Sequence, residues 1–204
     1  MKRSTYALLA LLALGGLLIG GIAALLTMPG VRQNVSSPTV SVGKALVGGP
    51  FSLVDHTGKR VTDQDFRGRP MLVMFGFTFC PDVCPSGLQV MAAALDKLGA
   101  KGEQVVPLFI SVDPERDTPA QLAQYVASFH PRLRGLTGSQ AEVDAAAKAY
   151  RVYFKKVRDE KSSAAYTIDH TALIYLMGAD GTYIAHFTHA TGVDTIVERM
   201  AKLL

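Results

Sequence analysis

M-L-V-M-F-G-F-T-F-C-P-D-V-C-P, Met71 to Pro85, is the stretch from which the rest of the chain can be organised. Met71 to Phe79 is a near-continuous apolar run, the pattern of a strand buried on both faces. Pro85 then opens a helical pattern with apolar residues at Leu88, Met91, Ala92, Leu95 and Leu98. A proline fits the first turn of a helix, where its missing N–H has no partner to lose. Cys80 and Cys84 fall between the strand and the helix, and they are the chain's only 2 cysteines. That junction is the carboxyl end of a strand, where open α/β sheets bind ligands. It is also a helix N-terminus, where free N–H groups and the helix dipole favour a thiolate. The pair has three possible uses: a structural disulfide, a redox dithiol, or part of a metal site. The structural use is the weakest. A chain of 204 residues buries a core without staples, and a bridge closing so short a loop constrains the unfolded chain little.

Formal net charge is +4. Without Lys2 and Arg3 the balance is 19 Lys+Arg against 17 Asp+Glu, or +2, which is no nucleic-acid footprint. The basic run Lys155-Lys156-Val157-Arg158 reads as a solvated face. At the N-terminus, Lys2 and Arg3 precede Tyr6 to Leu26, a stretch without a charge. About 20 apolar residues span a bilayer, whereas signal-peptide apolar regions run to about 7–15. No A-x-A site and no lipobox cysteine follows, so the reading favours an uncleaved, single-pass transmembrane anchor over a cleaved signal. Lys2 and Arg3 are then expected on the cytoplasmic side of an inner (cytoplasmic) membrane, with the remainder in the periplasm or an equivalent space. Thiols there are easily oxidised, so the pair is expected to cycle or to be guarded by a reductant or a metal.

The expected organisation is a cytoplasmic N-terminus and anchor over 1–28, a linker over 29–47 and a folded domain over 48–204. The linker reading rests on Pro29, Gly30, Asn34, Ser36, Ser37, Pro38 and Gly43. In the domain, 51–54 and 60–62 flank the turn His56-Thr-Gly-Lys59 as a hairpin. Residues 105–112 read as a second buried strand. Thr118-Pro119 opens a helix to Phe129, and Ser139 with Glu142 forms a capping box for a helix to Tyr150. Residues 171–177 and 182–187 flank Gly178-Ala-Asp-Gly181 as a closing hairpin, and 192–204 is a last helix. Strands alternating with helices predict an α/β domain with a largely parallel sheet, made mixed by the closing hairpin. The order resembles a thioredoxin-like fold with an N-terminal β-hairpin and an insertion added.

Redox motifs of that fold read C-x-x-C. Here three residues, Pro81, Asp82 and Val83, lie between the cysteines. A disulfide remains possible at this spacing, and so does a metal bite for a soft ion such as Cu(I) or Zn(II). Of the five histidines, His56 and His130 read as surface punctuation at a turn and a helix end. His186 and His189 flank an edge-strand end and are weak candidates. His170, in Tyr166-Thr-Ile-Asp-His-Thr171, differs. The thioredoxin-like frame implies that His170-Thr171 takes the place of the cis-proline and threonine packed against the cysteine motif. Its imidazole would then face both sulfurs as a third ligand. Three such donors suit Cu(I), whereas Zn(II) wants a fourth. Asp169 is a candidate to orient the ring or nearby backbone, and Asp82 reads as a turn residue before an extra oxygen donor.

G-F-T-F-C-P-D-V-C-P (76–85), S-V-D-P-E-R-D-T-P (111–119), Y-T-I-D-H-T (166–171) and F-S-L-V-D-H-T-G-K (51–59) together resemble the Sco/SenC family, in order, over about 48–204. The resemblance implies a membrane-anchored copper protein for cytochrome c oxidase assembly. It implies copper, as Cu(I) or Cu(II), on Cys80, Cys84 and His170, and a copper-bearing oxidase subunit or other copper protein as partner. Two functions follow from different classes. One is a metallochaperone that hands copper on by ligand exchange. The other is a thiol–disulfide oxidoreductase using Cys80 and Cys84 as the catalytic redox pair. A redox enzyme does not need His170, and a copper site does. A peroxidase of related fold fits poorly, since Cys80 lies in no recognisable peroxidatic motif. Asp113 to Pro119 reads as strand end and helix cap, with partner docking as the other use. A monomer is the default oligomeric state.

Overall fold

The computed structural model describes residues 46–158 and 165–204. The expected anchor and nearly all of the linker lie outside those residues. Among the described residues no helix is long and apolar enough to cross a membrane.

The strand predicted from Met71 is β3, Met71–Gly76, and every one of its residues is buried. Strands β1 (Ser52–Asp55) and β2 (Arg60–Thr62) form the predicted hairpin before it. β4 is Val106–Ser111, again buried throughout, and β5 is Arg134–Thr137. β6 (Phe154–Val157) and β7 (Thr167–His170) follow, then β8 (Leu173–Met177) and β9 (Tyr183–Thr188). The seven-stranded sheet has the order β2-β1-β5-β4-β3-β8-β9, and β6 and β7 form a separate two-stranded ribbon. β3, β4 and β5 run parallel, while β1, β8 and β9 join antiparallel. The mixed thioredoxin-like α/β sheet is as expected, but it is less parallel than the sequence reading has it, since β1 as well as the closing hairpin joins antiparallel and only the β3–β4 and β4–β5 pairings run parallel.

Helix α1 is Val83–Leu98, α2 Pro119–Ala127, α3 Gln140–Ala149 and α4 Val193–Ala201. Two of the predicted caps are present. Thr118 Oγ1 accepts from the Gln121 N–H, and Ser139 and Glu142 form a reciprocal capping box. α1 begins two residues ahead of Pro85, so the proline lies inside the first turn, where it removes no helical bond. α2 stops at Ala127, short of the predicted Phe129, because the backbone there closes into shorter-range bonds from Ser128 and Phe129 to Tyr125 and Val126.

Two elements correct the sequence reading. β5 is short and contains Gly135, so its apolar signal is weak; it is held in the sheet between β1 and β4. The segment before Leu173 is not the start of a core strand. Thr167–His170 pairs with Phe154–Val157, so Lys155 and Lys156 of the basic run are exposed strand residues of that ribbon. Their exposure agrees with the solvated-face reading.

The core lies on both sides of β3 and β4. Phe75, Tyr150 and Tyr175 pack ring on ring, with centroids 5.2 to 6.5 Å apart. The carboxyl end of β3 opens at one end of this core, with the amino ends of the parallel strands at the other.

Candidate metal centre

Where β3 leaves the sheet, Phe77 stays buried and the chain turns through Thr78–Asp82 into α1. Cys80 is 9% exposed and Cys84 0%, and both are free thiols. Cys84 lies in the first turn of α1 with its sulfur against the end of β3. A Cβ at Gly76 would stand 2.6 Å from Cys84 Sγ and 2.8 Å from Phe109 Cε2, closer than atoms pack. The glycine is therefore the notch that admits this sulfur.

His170 ends β7. Its Nδ1 lies 3.2 Å from the Thr171 carbonyl oxygen and its Nε2 3.3 Å from Cys84 Sγ. A carbonyl only accepts, so Nδ1 carries a proton and donates it. Nε2 is then the nitrogen that faces the sulfurs, able to give a lone pair to a metal or a second proton to a thiolate. One donor atom each from Cys80, Cys84 and His170 lie within 4.8 Å of one another. Phe77 meets the imidazole edge-on at 5.6 Å. A cleft of about 290 Å³ opens beside the cluster, between Phe77, the Cys80–Val83 turn and β7.

The two thiols differ in acidity. The hydrogen bond from Cys84 pushes Cys80 down to about 4, with help from His170 and backbone N–H groups and against the cost of burial. Cys84 moves the other way. It holds the proton it shares with Cys80, it is fully buried, and it faces the charge on Cys80. Cys80 is the nucleophile of the pair, and Cys84 is the shielded partner.

The Asp113–Asp117 motif surrounds the cysteine turn. Asp117, fully buried, accepts from Thr78 N at 3.0 Å, Thr78 Oγ1 at 2.6 Å and Ser111 Oγ at 2.6 Å. It thereby holds the turn to the end of β4. Burial raises its pKa and outweighs the three bonds that lower it. Arg116 reaches from the motif to the histidine ribbon. Its guanidinium carbon stands 3.9 Å from the Tyr166 ring centroid, 4.7 Å from that of Phe79 and 5.8 Å from that of Phe77. Its Nη1 donates to the Tyr166 carbonyl at 3.1 Å, and its Nε donates to Asp113. The Tyr166 hydroxyl donates to Asp113 Oδ1 at 2.8 Å. Strand end and helix cap describe only part of this motif. The signal that could have found the rest was two aspartates and an arginine directly after a wholly apolar strand, where charges must find buried partners.

The other predicted residues separate from the cluster. Asp169 is exposed and pairs in register with Lys155, and the Thr171 carbonyl rather than Asp169 orients the imidazole. Asp82 is exposed at the N-cap position of α1 and accepts from Ser86 Oγ at 3.4 Å, in keeping with the turn reading. His130 is not surface punctuation. It is 8% exposed, its Nδ1 accepts from Arg132 N at 3.1 Å, and burial lowers its pKa. His56 is half-buried, and its Nδ1 accepts from Gly135 N, tying the first hairpin to β5. His186 and His189 are exposed, with His186 Nδ1 bonded to the Tyr183 hydroxyl.

The SCO1/SenC family model matches residues 40–204. The chain belongs to that family. The human protein SCO1 homolog, mitochondrial, is 49% identical over 149 residues, covering 72% of this chain and 49% of the human protein. The chain spans about half the length of the human relative. A structure of Bradyrhizobium japonicum ScoI with copper bound is 46% identical with a TM-score of 0.71, covering 78% of this chain and 99% of that one. BsSco, described as having a disulfide switch and as a member of the Sco family of cytochrome c oxidase assembly proteins, is 28% identical. It matches with a TM-score of 0.60, over 76% of this chain and 91% of that one. Family membership accounts for the mixed sheet and the thioredoxin-like frame.

Proposed function

We propose that this chain is a membrane-anchored copper-binding protein that delivers copper to the dinuclear copper site of cytochrome c oxidase and helps that site mature. In this reading residues 1–28 hold the domain to the membrane, 29–47 form the linker, and 48–204 work as a monomer on the non-cytoplasmic side. The observation that carries it is the convergence of one donor atom each from Cys80, Cys84 and His170 within 4.8 Å of one another, with His170 Nε2 3.3 Å from Cys84 Sγ. Two soft sulfurs and one imidazole suit Cu(I), which accepts low coordination. The copper-bound structure of the Bradyrhizobium relative supports the cargo, and the naming of BsSco as an oxidase assembly protein supports the acceptor.

The chain's own groups prepare the site for cargo. Cys80 is already a thiolate at neutral pH, so taking up a metal there displaces no proton. The Thr171 carbonyl keeps the imidazole turned with Nε2 inward. The Cys80 side of the cluster borders the cleft, where a partner's sulfur can enter, add to the copper and draw it off as His170 or Cys80 lets go.

A second reading rests on the unequal thiols. The Cys80 thiolate attacks a disulfide in the partner, forming a mixed disulfide and releasing one partner thiolate. Cys84 loses its proton and attacks Cys80 Sγ, releasing the second partner thiolate. Two electrons pass to the partner, and Cys80–Cys84 becomes the disulfide. The disulfide switch of BsSco supports this use of the pair.

The test separates the two. Cu(I) is titrated into the reduced, oxygen-free protein against a competing chelator, beside His170→Ala and Cys84→Ser. Copper delivery expects tight one-to-one binding, abolished in Cys84→Ser and weakened by about 100-fold or more in His170→Ala, while disulfide exchange survives in His170→Ala. Binding indifferent to His170 would sink the copper reading and leave the reductase.

A further inference from the structure

At the end of the sheet opposite the cysteines lies a cleft of about 540 Å³. Its walls are the turn of the first hairpin, the amino ends of β4 and β5, and Arg69 just ahead of β3. Lys59, Arg69, Arg132 and Arg134 all line it. Among the described residues none of these four forms an ion pair. Asp55 and Glu103 are the acids in the lining. The Asp55 carboxylate is occupied within its own turn, accepting from Thr57 N, Thr57 Oγ1 and Lys59 N. Arg132 is fixed in place, since its Nη1 donates to the carbonyls of Gly102 and Val105. Lys59, Arg69, Arg132 and Arg134 outnumber Asp55 and Glu103 by two around one cleft, and with Arg132 anchored to the backbone they make an anion-binding surface.

The position of this surface narrows the choice of anion. The parallel strands β3 and β4 are six residues long, so the cleft and the cysteine turn stand about 20 Å apart at opposite ends of the sheet. The chain enters the domain at the cleft's end. Gly48 N donates to the Ala149 carbonyl at the end of α3, and Gly48 lies against Met177 and Gly181 at the turn between β8 and β9. Only 21 residues, 27–47, separate Gly48 from the apolar stretch Tyr6–Leu26.

We propose that the cleft binds the phosphate headgroups of anionic lipids, seating the domain on the bilayer that holds its anchor. The seated domain faces the membrane with Lys59, Arg69, Arg132 and Arg134 and turns the Cys80–Cys84–His170 cluster outward. This rests on the anchored copper-protein reading for its purpose, although the headgroup contact is testable without it. Each basic residue near an anionic surface strengthens association by about fivefold, so the effect fades with added salt.

The test uses the full chain in vesicles of phosphatidylcholine alone or with a quarter phosphatidylglycerol, followed by backbone hydrogen exchange at 56–59 and 132–134. Slower exchange with the anionic lipid, reversed by high salt and lost in the triple variant Lys59→Gln/Arg69→Gln/Arg134→Gln, is the expected result. Unchanged Cu(I) binding in that variant shows that it has folded. Equal exchange in the two vesicle types overturns the proposal. So does protection by millimolar inorganic phosphate without lipid that matches that of the anionic vesicles, since the cleft would then serve a soluble anion. Should the chain fail to float with neutral vesicles, the anchor reading falls alone. Flotation with anionic vesicles, and its loss in the triple variant, then upholds the cleft, and no flotation overturns it.

Discussion

Cys80 and Cys84 stand on the seven-stranded sheet's own strand–helix junction, whereas His170 stands on the two-stranded ribbon beside it. The cysteine half is part of the core. Cys84 is fully buried, Gly76 is shaped to its sulfur, and Asp117 ties the turn down through three hydrogen bonds. The histidine half is attached from outside. Thr171 N donates to the Tyr153 carbonyl, Tyr153 N donates to Thr171 Oγ1, and Arg116 clasps Tyr166. A site divided in this way can change its number of ligands without disturbing the core. The sulfurs are held by packing that resists displacement, and the imidazole by a few polar and aromatic contacts that yield more easily.

That contrast can be broken by experiment, and the largest effect is expected at Asp117. Asp117→Ala leaves the Thr78 N–H and two hydroxyls without their acceptor and is expected to cost about 3 kcal/mol of stability, read by denaturant unfolding. A loss confined to copper affinity would show that the turn does not depend on the core. Gly76→Ala follows, at about 2 kcal/mol, because its methyl must displace Cys84 Sγ or the Phe109 ring. Arg116→Ala tests the other half. Stability is expected to fall by about 2 kcal/mol, because the buried Asp113 keeps the Tyr166 hydroxyl but loses its guanidinium partner, while Cu(I) affinity falls roughly tenfold as the ribbon loosens. Equal losses for Arg116→Ala and Asp117→Ala would erase the distinction between the halves.

The smallest effect sharpens the contrast within the cysteine pair. The folded value of Cys80, about 4, lies below that of an ordinary thiol, so its thiolate is complete well below neutrality. Alkylation of Cys80 by iodoacetamide is therefore expected to be flat between about pH 6 and 8, where an ordinary thiol gains about tenfold per unit. The rate should fall only as pH approaches the Cys80 value. Cys84 is expected to stay nearly inert over the same range, because burial and the neighbouring thiolate hold its proton.

Much of this was legible in the chain itself. The apolar run from Met71, the helical spacing after Pro85 and the capping residues Thr118 and Ser139 fixed the α/β frame and put both cysteines at a strand's carboxyl end. These are local signals, since burial on both faces, helical period and cap chemistry are each written in neighbouring residues. His170 was reached only through likeness to a known frame, because 86 residues separate it from Cys84 and no local pattern joins them. Tertiary structure alone decided which nitrogen of His170 faces the sulfurs, why position 76 must be glycine, that Asp117 holds the cysteine turn to β4, and that Arg116 joins that side to the histidine ribbon. It also buried His130, which the sequence places at a helix end, and gathered the four cations of the far cleft from three separate segments. Each of these depends on distances between segments remote in sequence, and such distances are set by how the whole core packs rather than by any stretch within it.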